Sequence, residues 1–188
     1  MTTLRLVPLD DAVVFPGMTV SLPLDGAGAD ARVLLVPKQD SGFAKVGVVA
    51  EVSSRVRLGG HSSAVSLVGL HRGVPGAAAE DSDGVLRVPV DERPDATPPG
   101  HLTRELEREY RAVVEEILQL RGDDGRISGF LRPITSPGAL ADTSGYSPDI
   151  SVADKIRLLE TLDVVDRLTL ALRLQQDRLT ELSVRKKI

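Results

Sequence analysis

From Met18 onward, apolar and polar residues alternate. Met18, Val20, Leu22 and Leu24 fall on one side of a period of two, with Thr19, Ser21 and Pro23 on the other, which predicts a half-buried strand. Pro16-Gly17 predicts the turn before it. Upstream lie two short apolar runs, Leu4 to Leu9 and Val13 to Phe15, separated by Asp10-Asp11, so the opening reads as strands around a proline turn. Residues 25–31 (DGAGADA) are too glycine-rich and too short for a stable helix and read as a loop. Arg32 to Val36 is a near-continuous apolar run, as in a central strand, and Pro37 is expected to limit it. Val46 to Val52 is the next strand. Gly59-Gly60 then separates Arg55–Leu58 from Ala64–Leu70, the spacing of a hairpin, and Val85 to Val90 closes the series. These short strands predict one compact, mostly antiparallel β unit over residues 1–92.

The pattern then changes period. Residues 93–101 form a proline-rich linker that supports neither helix nor interior strand. Beyond it, Leu102, Leu106, Tyr110, Val113, Val114, Ile117 and Leu120 recur by threes and fours, the apolar stripe of a helix. Thr103 is its expected N-cap and Gly122 its C′ residue. The opposite face, with Glu105, Arg108, Glu109, Arg111 and Glu115, reads as solvated. A weaker segment, Ile127 to Leu131, precedes Pro133. Ser136-Pro137 starts a short helix that stops near Gly145. Ser151, with Asp154 three residues on, opens another as an imperfect capping box. Asp163 caps the last helix, whose stripe is Val165, Leu168, Leu172, Leu179 and Leu182. With no Gly or Pro after Leu182, it is expected to run to or beyond the end of the chain. The fold class is therefore α+β: a β-rich lobe followed by a helical bundle, residues 102–188, ending in a long C-terminal helix.

Composition narrows the function more than the fold. The 188 residues are 41% hydrophobic, enough to bury a core as one domain or two small ones. Cysteine is absent, which removes disulfides, thiolate metal sites and cysteine nucleophiles. A net charge of −4 and only five scattered aromatics, Phe15, Phe43, Tyr110, Phe130 and Tyr146, disfavour nucleic acid as a partner. The amino terminus has no basic, apolar leader pattern and no run approaches a membrane span, so the cytoplasm is the expected location and a membrane is not a partner.

Candidate chemistry is sparse. His61, His71 and His101 lie beside turns or strand ends with no carboxylate partner fixed in sequence, and each reads as structural. Asp163 and Arg167 stand four apart on a helix, which predicts an ion pair or cap. Arg185-Lys186-Lys187 reads as cations at a helix C-terminus. The turn is more informative. Val14 and Phe15 read first as core, whereas Pro16 and Met18 flank the turn and are expected to be exposed. A flexible Met beside an aromatic suits low-specificity binding of apolar segments, so Phe15, Pro16 and Met18 form the expected substrate-binding set. No catalytic residue, metal site or cofactor is expected.

A family resemblance follows from four stretches. Leu6 to Met18 reads L-V-P-L-x-D-x-V-V-F-P-G-M; Gly69-Leu70-His71-Arg72 reads G-L-x-R; Pro137 to Asp142 reads P-x-x-L-A-D; and Lys155 to Leu168 reads K-x-x-L-L-E-x-x-D-V-x-x-R-L. In this order they resemble the amino-terminal domain of the bacterial Lon proteases, ATP-dependent proteases of protein quality control. The resemblance implies a β-rich, PUA-like lobe followed by a helical bundle, and a non-catalytic role in recognising unfolded or degron-bearing proteins. It implies as partners those substrates and the ATPase and protease domains of the same or another chain, in an oligomer. Alternative roles are a structural or oligomerisation module, or a stand-alone adaptor. Lys155 and Asp142 match family positions, but capping and bundle packing explain both. Two departures stand out: the family's usual helix between Leu24 and Arg32 has no room here, and the chain contains no G-x-x-x-x-G-K-[ST] phosphate loop or serine–lysine protease motif. The chain is accordingly expected to be no enzyme by itself.

Overall fold

The computed structural model describes residues 1–24, 30–57, 59 and 63–187. The expectations for His61, for Gly60 and for the shortened loop at residues 25–29 lie outside the described residues. The chain divides into two compact units, Met1–Pro94 and Asp95–Ile188.

The first unit is a sheet of β1 (Thr2–Leu9), β2 (Thr19–Pro23), β3 (Arg32–Gln39), β4 (Gly42–Phe43), β5 (Gly47–Arg57), β6 (Ser63–Pro75), β7 (Ala79–Glu80) and β8 (Leu86–Arg93). The strand order is β2-β6-β5-β3-β1-β8-β7, and β6 also pairs with β8. Length makes this closure possible. β6 runs 13 residues; Ala64–Val68 pairs with β2, and Arg72–Pro75 reaches β8. The result is barrel-like, with β2, β4 and β7 as appendages. The ladders are antiparallel except β1 with β3, which run parallel from Arg5↔Val33 to Leu9↔Pro37. Val33 to Val36 are all buried, as a strand covered on both faces requires. One side of it, Val33 and Leu35, packs with Val7, Leu9, Val14, Leu24, Ala50, Val65 and Leu67.

Three expectations are corrected here. Val13 to Phe15 is a buried irregular segment and not a strand, because Asp11 sits in the left-handed region (φ 52°) and turns the chain out of the ladder. Pro37 does not end β3, which continues to Gln39; at Leu9↔Pro37 it meets a parallel neighbour. The runs expected at Val46–Val52 and Arg55–Leu58 are not separate strands over the described residues, which leave out Leu58. They are joined in β5, where a register shift between Val52 and Ser54 accommodates the extra residue as a bulge.

One carboxylate ties four strands of this unit. Glu92 on β8 accepts from Arg32 Nη1 at 2.7 Å and Nη2 at 3.2 Å, and from Thr2 Oγ1 at 3.0 Å. His71 Nε2 lies 2.7 Å from Glu92 Oε1, so His71 does have the carboxylate partner its sequence position did not reveal. The Arg32 hydrogen bond first, then that of His71, lowers the Glu92 pKa from 4.5 to about 2. A folded pKa below the unfolded value means that ionised Glu92 contributes stability above about pH 4.5, which is lost as pH falls towards about 2. Thermal unfolding from pH 7 to pH 2 should therefore show Glu92→Gln less stable than the wild type at neutrality. The gap should close in acid, and a constant gap would contradict this role.

The second unit contains α1 (Gly100–Arg121), α2 (Arg126–Leu131), α3 (Pro137–Asp142), a 3-10 turn (Thr143–Tyr146), α4 (Val152–Glu160) and α5 (Val164–Lys187). α1 and α3 pack on α5. The expected caps form where side chains can reach N–H groups: Ser136 Oγ accepts from Ala139, Ser151 Oγ from Asp154 and Asp163 Oδ2 from Asp166. Gly122 (φ 71°) closes α1, donating to the carbonyls of Leu118 and Gln119.

Other details differ from expectation. α1 begins at Gly100 after Pro99, so Thr103 is buried inside it and is no cap, while Leu102 is exposed. α3 ends at Asp142, and the 3-10 turn carries the chain past Gly145. Arg111 and Glu115 are not simply solvated: Arg111 donates to the Leu131 and Ile134 carbonyls, and Glu115 accepts from Ser128. Arg167 does not pair with Asp163. It is fully buried and forks onto Asp95, with Nη1 and Nη2 each 2.8 Å from a carboxylate oxygen. Its Nε donates to Thr161 O at 2.9 Å and Nη2 also to Leu162 O at 3.1 Å, while Asp142 lies 3.7 Å from Nη1.

Candidate functional site

The turn of residues 15–18 is built by backbone bonds to β6. Gly17 N–H donates to Gly69 O and Gly69 N–H to Met18 O, both at 2.9 Å, and Gly17 takes φ 90°. Met18 N–H donates to Phe15 O at 3.1 Å, and the Phe15 N–H meets Met18 Sδ at 3.3 Å. The fit against β6 depends on a missing side chain, since a Cβ on Gly69 would stand 2.8 Å from Phe15 O.

Of the expected set, Phe15 is corrected. Its ring is 0% exposed and lies under the buried Arg72 guanidinium, 5.8 Å from the ring centroid, so it is core and not a contact surface. Pro16 and Met18 are half-buried. Met18 packs with Val20 and Leu22 against the apolar cluster of the lobe, leaving the outer parts of both side chains at the surface.

The second unit holds a cleft of about 220 Å³ that sequence reasoning missed. Its apolar walls are Val114 and Ile117 of α1, Ile127 and Phe130 of α2, and Tyr146 and Pro148 beyond α3. Phe130 is 52% exposed and Ile127 46% exposed at its mouth. The Phe130 and Tyr146 rings stand 6.0 Å apart at 37°. With about half of the Phe130 and Ile127 side chains still exposed, each forgoes on the order of 1 kcal/mol relative to full burial. The cleft therefore has an unmet apolar demand.

Its floor is rigid. The Tyr110 hydroxyl lies 2.7 Å from both Thr143 Oγ1 and Ser144 Oγ, and Gln175 Nε2 donates to Ser144 Oγ at 2.9 Å. Burial pushes the Tyr110 phenol above its usual range, so it remains a neutral hydrogen-bonding group. At the rim, Asp149 takes the guanidinium of Arg121 on one side and lies 3.5 Å from Arg178 on the other. An apolar side chain can enter such a site. In sequence, α2 is six residues long, too short for its periodicity to announce an exposed face. The i, i+3 spacing of Ile127 and Phe130 was the available signal.

The structure does not bring the remaining candidates together. His101 is exposed at the start of α1 and His71 serves Glu92. Lys155 is half-buried, and burial lowers its pKa. Asp142 is buried beside Arg167, and Arg185 to Lys187 are exposed on α5. Among the described residues, no group of three or more His, Cys, Asp or Glu could hold a metal, and no helix is long and apolar enough to cross a membrane.

Known proteins resemble the whole chain. The family model of the ATP-dependent protease La (LON) substrate-binding domain matches residues 3–177. The Lon protease of Chloroflexus aurantiacus is 38% identical over 208 residues, covering 99% of this chain, and that of Salinispora arenicola is 36% identical over 198 residues, covering all of it. The chain spans 25% of the length of each of these relatives. Among solved structures, the N-terminal domain of the Mycobacterium avium complex Lon protease superposes with a TM-score of 0.80 at 30% identity, over 94% of this chain and 99% of that one. A Lon N-terminal domain protein from Xanthomonas campestris, 18% identical with a TM-score of 0.61, shares the fold.

Proposed function

Since the chain belongs to the family of Lon substrate-binding domains, we propose that it captures unfolded or degron-bearing polypeptides through their apolar side chains. It would present them to ATPase and protease domains of the same or another chain, within an oligomer. Such domains would occupy the three quarters of the relatives that lie outside the match. The observation that carries this reading is the cleft with half-exposed Phe130 and Ile127 at its mouth. Folded proteins bury their large apolar side chains, so a site that accepts them selects chains that have not folded. Pro16 and Met18 form a second, smaller contact on the β-rich lobe.

Two substitutions test it. Phe130→Asp puts a charge at the cleft mouth, and Met18→Asp puts one beside the turn. Retention of a permanently unfolded, labelled protein on the immobilised chain should fall several-fold for the first and by a smaller factor for the second. Stability should change by about 0.5 kcal/mol or less for Phe130→Asp, as exposed substitutions usually do. Met18→Asp, being half-buried, should cost more. Unchanged retention in the double variant would refute the reading.

A further inference from the structure

We propose that the free edge of β2 binds an extended segment of substrate polypeptide by strand addition, an inference that rests on the proposed capture of unfolded chains. The register decides which backbone groups are free. Leu24 N–H donates to Ser63 O, and Gly69 N–H to Met18 O. Both pairs lie on the register that continues through Val20↔Leu67 and Leu22↔Val65. In an antiparallel ladder only alternate residues exchange bonds with a given neighbour. Met18, Val20, Leu22 and Leu24 thus face β6, and Thr19, Ser21 and Pro23 turn their backbone groups outward. Pro23, which has no N–H, is compatible only with that side.

Among the described residues β2 pairs with β6 alone, so the N–H and C=O groups of Thr19 and Ser21 lack a strand partner. Proteins guard such edges with charges, bulges or very short strands. The appended strands β4 and β7 are two residues each. β2 has five residues, none of them charged, and Pro23 alone as a stop. A complement to this row of donors and acceptors is another extended backbone.

The side chains define the class of segment. Guest residues beside Val20 and Leu22 would lie on the face where those half-buried residues and Met18 meet the core. Guest residues beside the exposed Thr19 and Ser21 would face solvent. The ligand is therefore an extended stretch with an apolar residue at every second position, the pattern of a strand that a folded protein hides in its own sheet. Sequence-independent backbone bonds supply affinity, and the alternation supplies selectivity.

The probe is a fluorescent peptide of about ten residues, alternating leucine and threonine between serine flanks, titrated against the 188-residue chain by anisotropy. N-methylation of its consecutive central amides keeps every side chain but blocks pairing along both edges. It should weaken binding about tenfold, the loss expected for one or two net hydrogen bonds. Ser21→Pro removes an outward N–H and should weaken the unmodified peptide similarly, with its fold checked by circular dichroism. Hydrogen exchange of the wild type should show the Thr19 and Ser21 amides newly protected by the peptide. Equal binding of the N-methylated peptide, with an unfolded protein still retained, would overturn strand addition and leave the broader function standing. Failure to retain either peptide or unfolded protein would remove both. A wild-type dimer that Ser21→Pro abolishes would make a second copy the occupant and likewise overturn the proposal.

Discussion

Replacing Arg167 by alanine is expected to destabilise the helical unit by about 3–5 kcal/mol, a large share of the roughly 5–15 kcal/mol of a typical domain. The guanidinium is fully buried and uses Nε and both Nη groups on the Asp95 carboxylate and the carbonyls of Thr161 and Leu162. Removal leaves those acceptors unpaired and strands Asp142, itself 2% exposed, without the nearby positive charge. Arg167→Met keeps most of the volume and should recover little, because the missing element is charge and donors and not bulk. Gly138→Ala should act in the same direction, since its Cβ would collide with the Asp95 carboxylate and push it off the guanidinium. Urea unfolding followed by circular dichroism measures all three, and a loss below about 1 kcal/mol for Arg167→Ala would show that the fork is not what holds this unit together.

Gly69→Val should cost about 1–3 kcal/mol, as overpacking does, and displace the turn of residues 15–18. Its Cβ would stand 2.8 Å from the Phe15 carbonyl oxygen, 3.2 Å from Val48 Cγ1 and 3.4 Å from Pro16 Cα. Two of these are backbone atoms that cannot rotate away, so the turn itself must lift. Lifting it breaks the Gly17–Gly69 bond and uncovers Phe15. Fast exchange of the Gly17 amide, together with a lowered unfolding temperature, is the expected signature. Gly42→Val is the matched control: a Cβ there meets nothing within 4 Å, and its stability should stay near that of the wild type. Equal behaviour of the two variants would contradict close packing at Gly69.

Local rules made much of this fold legible. Alternation located β2, a polar residue three positions ahead of a free N–H located the caps at Ser136, Ser151 and Asp163, and a glycine located the end of α1. What local rules left out were relations between distant residues. Arg167 looked like the partner of Asp163, four residues away, because periodicity reports neighbours on one helix; its actual partner, Asp95, is 72 residues distant. His71 and Glu92 are likewise joined only because β6 reaches β8. The site shows the same limit. The apolar run marked Phe15 as core, as the structure has it, but its place beside the turn also put it in the expected binding set, and no local rule reported that Arg72 from β6 covers its ring. The cleft draws its walls from α1, α2 and the segment after α3, and no single stretch carries its pattern.

The most direct measurement of polypeptide capture is an equilibrium titration of the chain with one labelled protein in two states, folded and permanently unfolded, at the same concentration and ionic strength. The unfolded form is expected to bind and the folded form not to, with Phe130→Asp weakening only the former. Equal affinity for both states, or no binding of the unfolded form at concentrations up to about 1 mM, where free energies of association fall to about −4 kcal/mol, would contradict it.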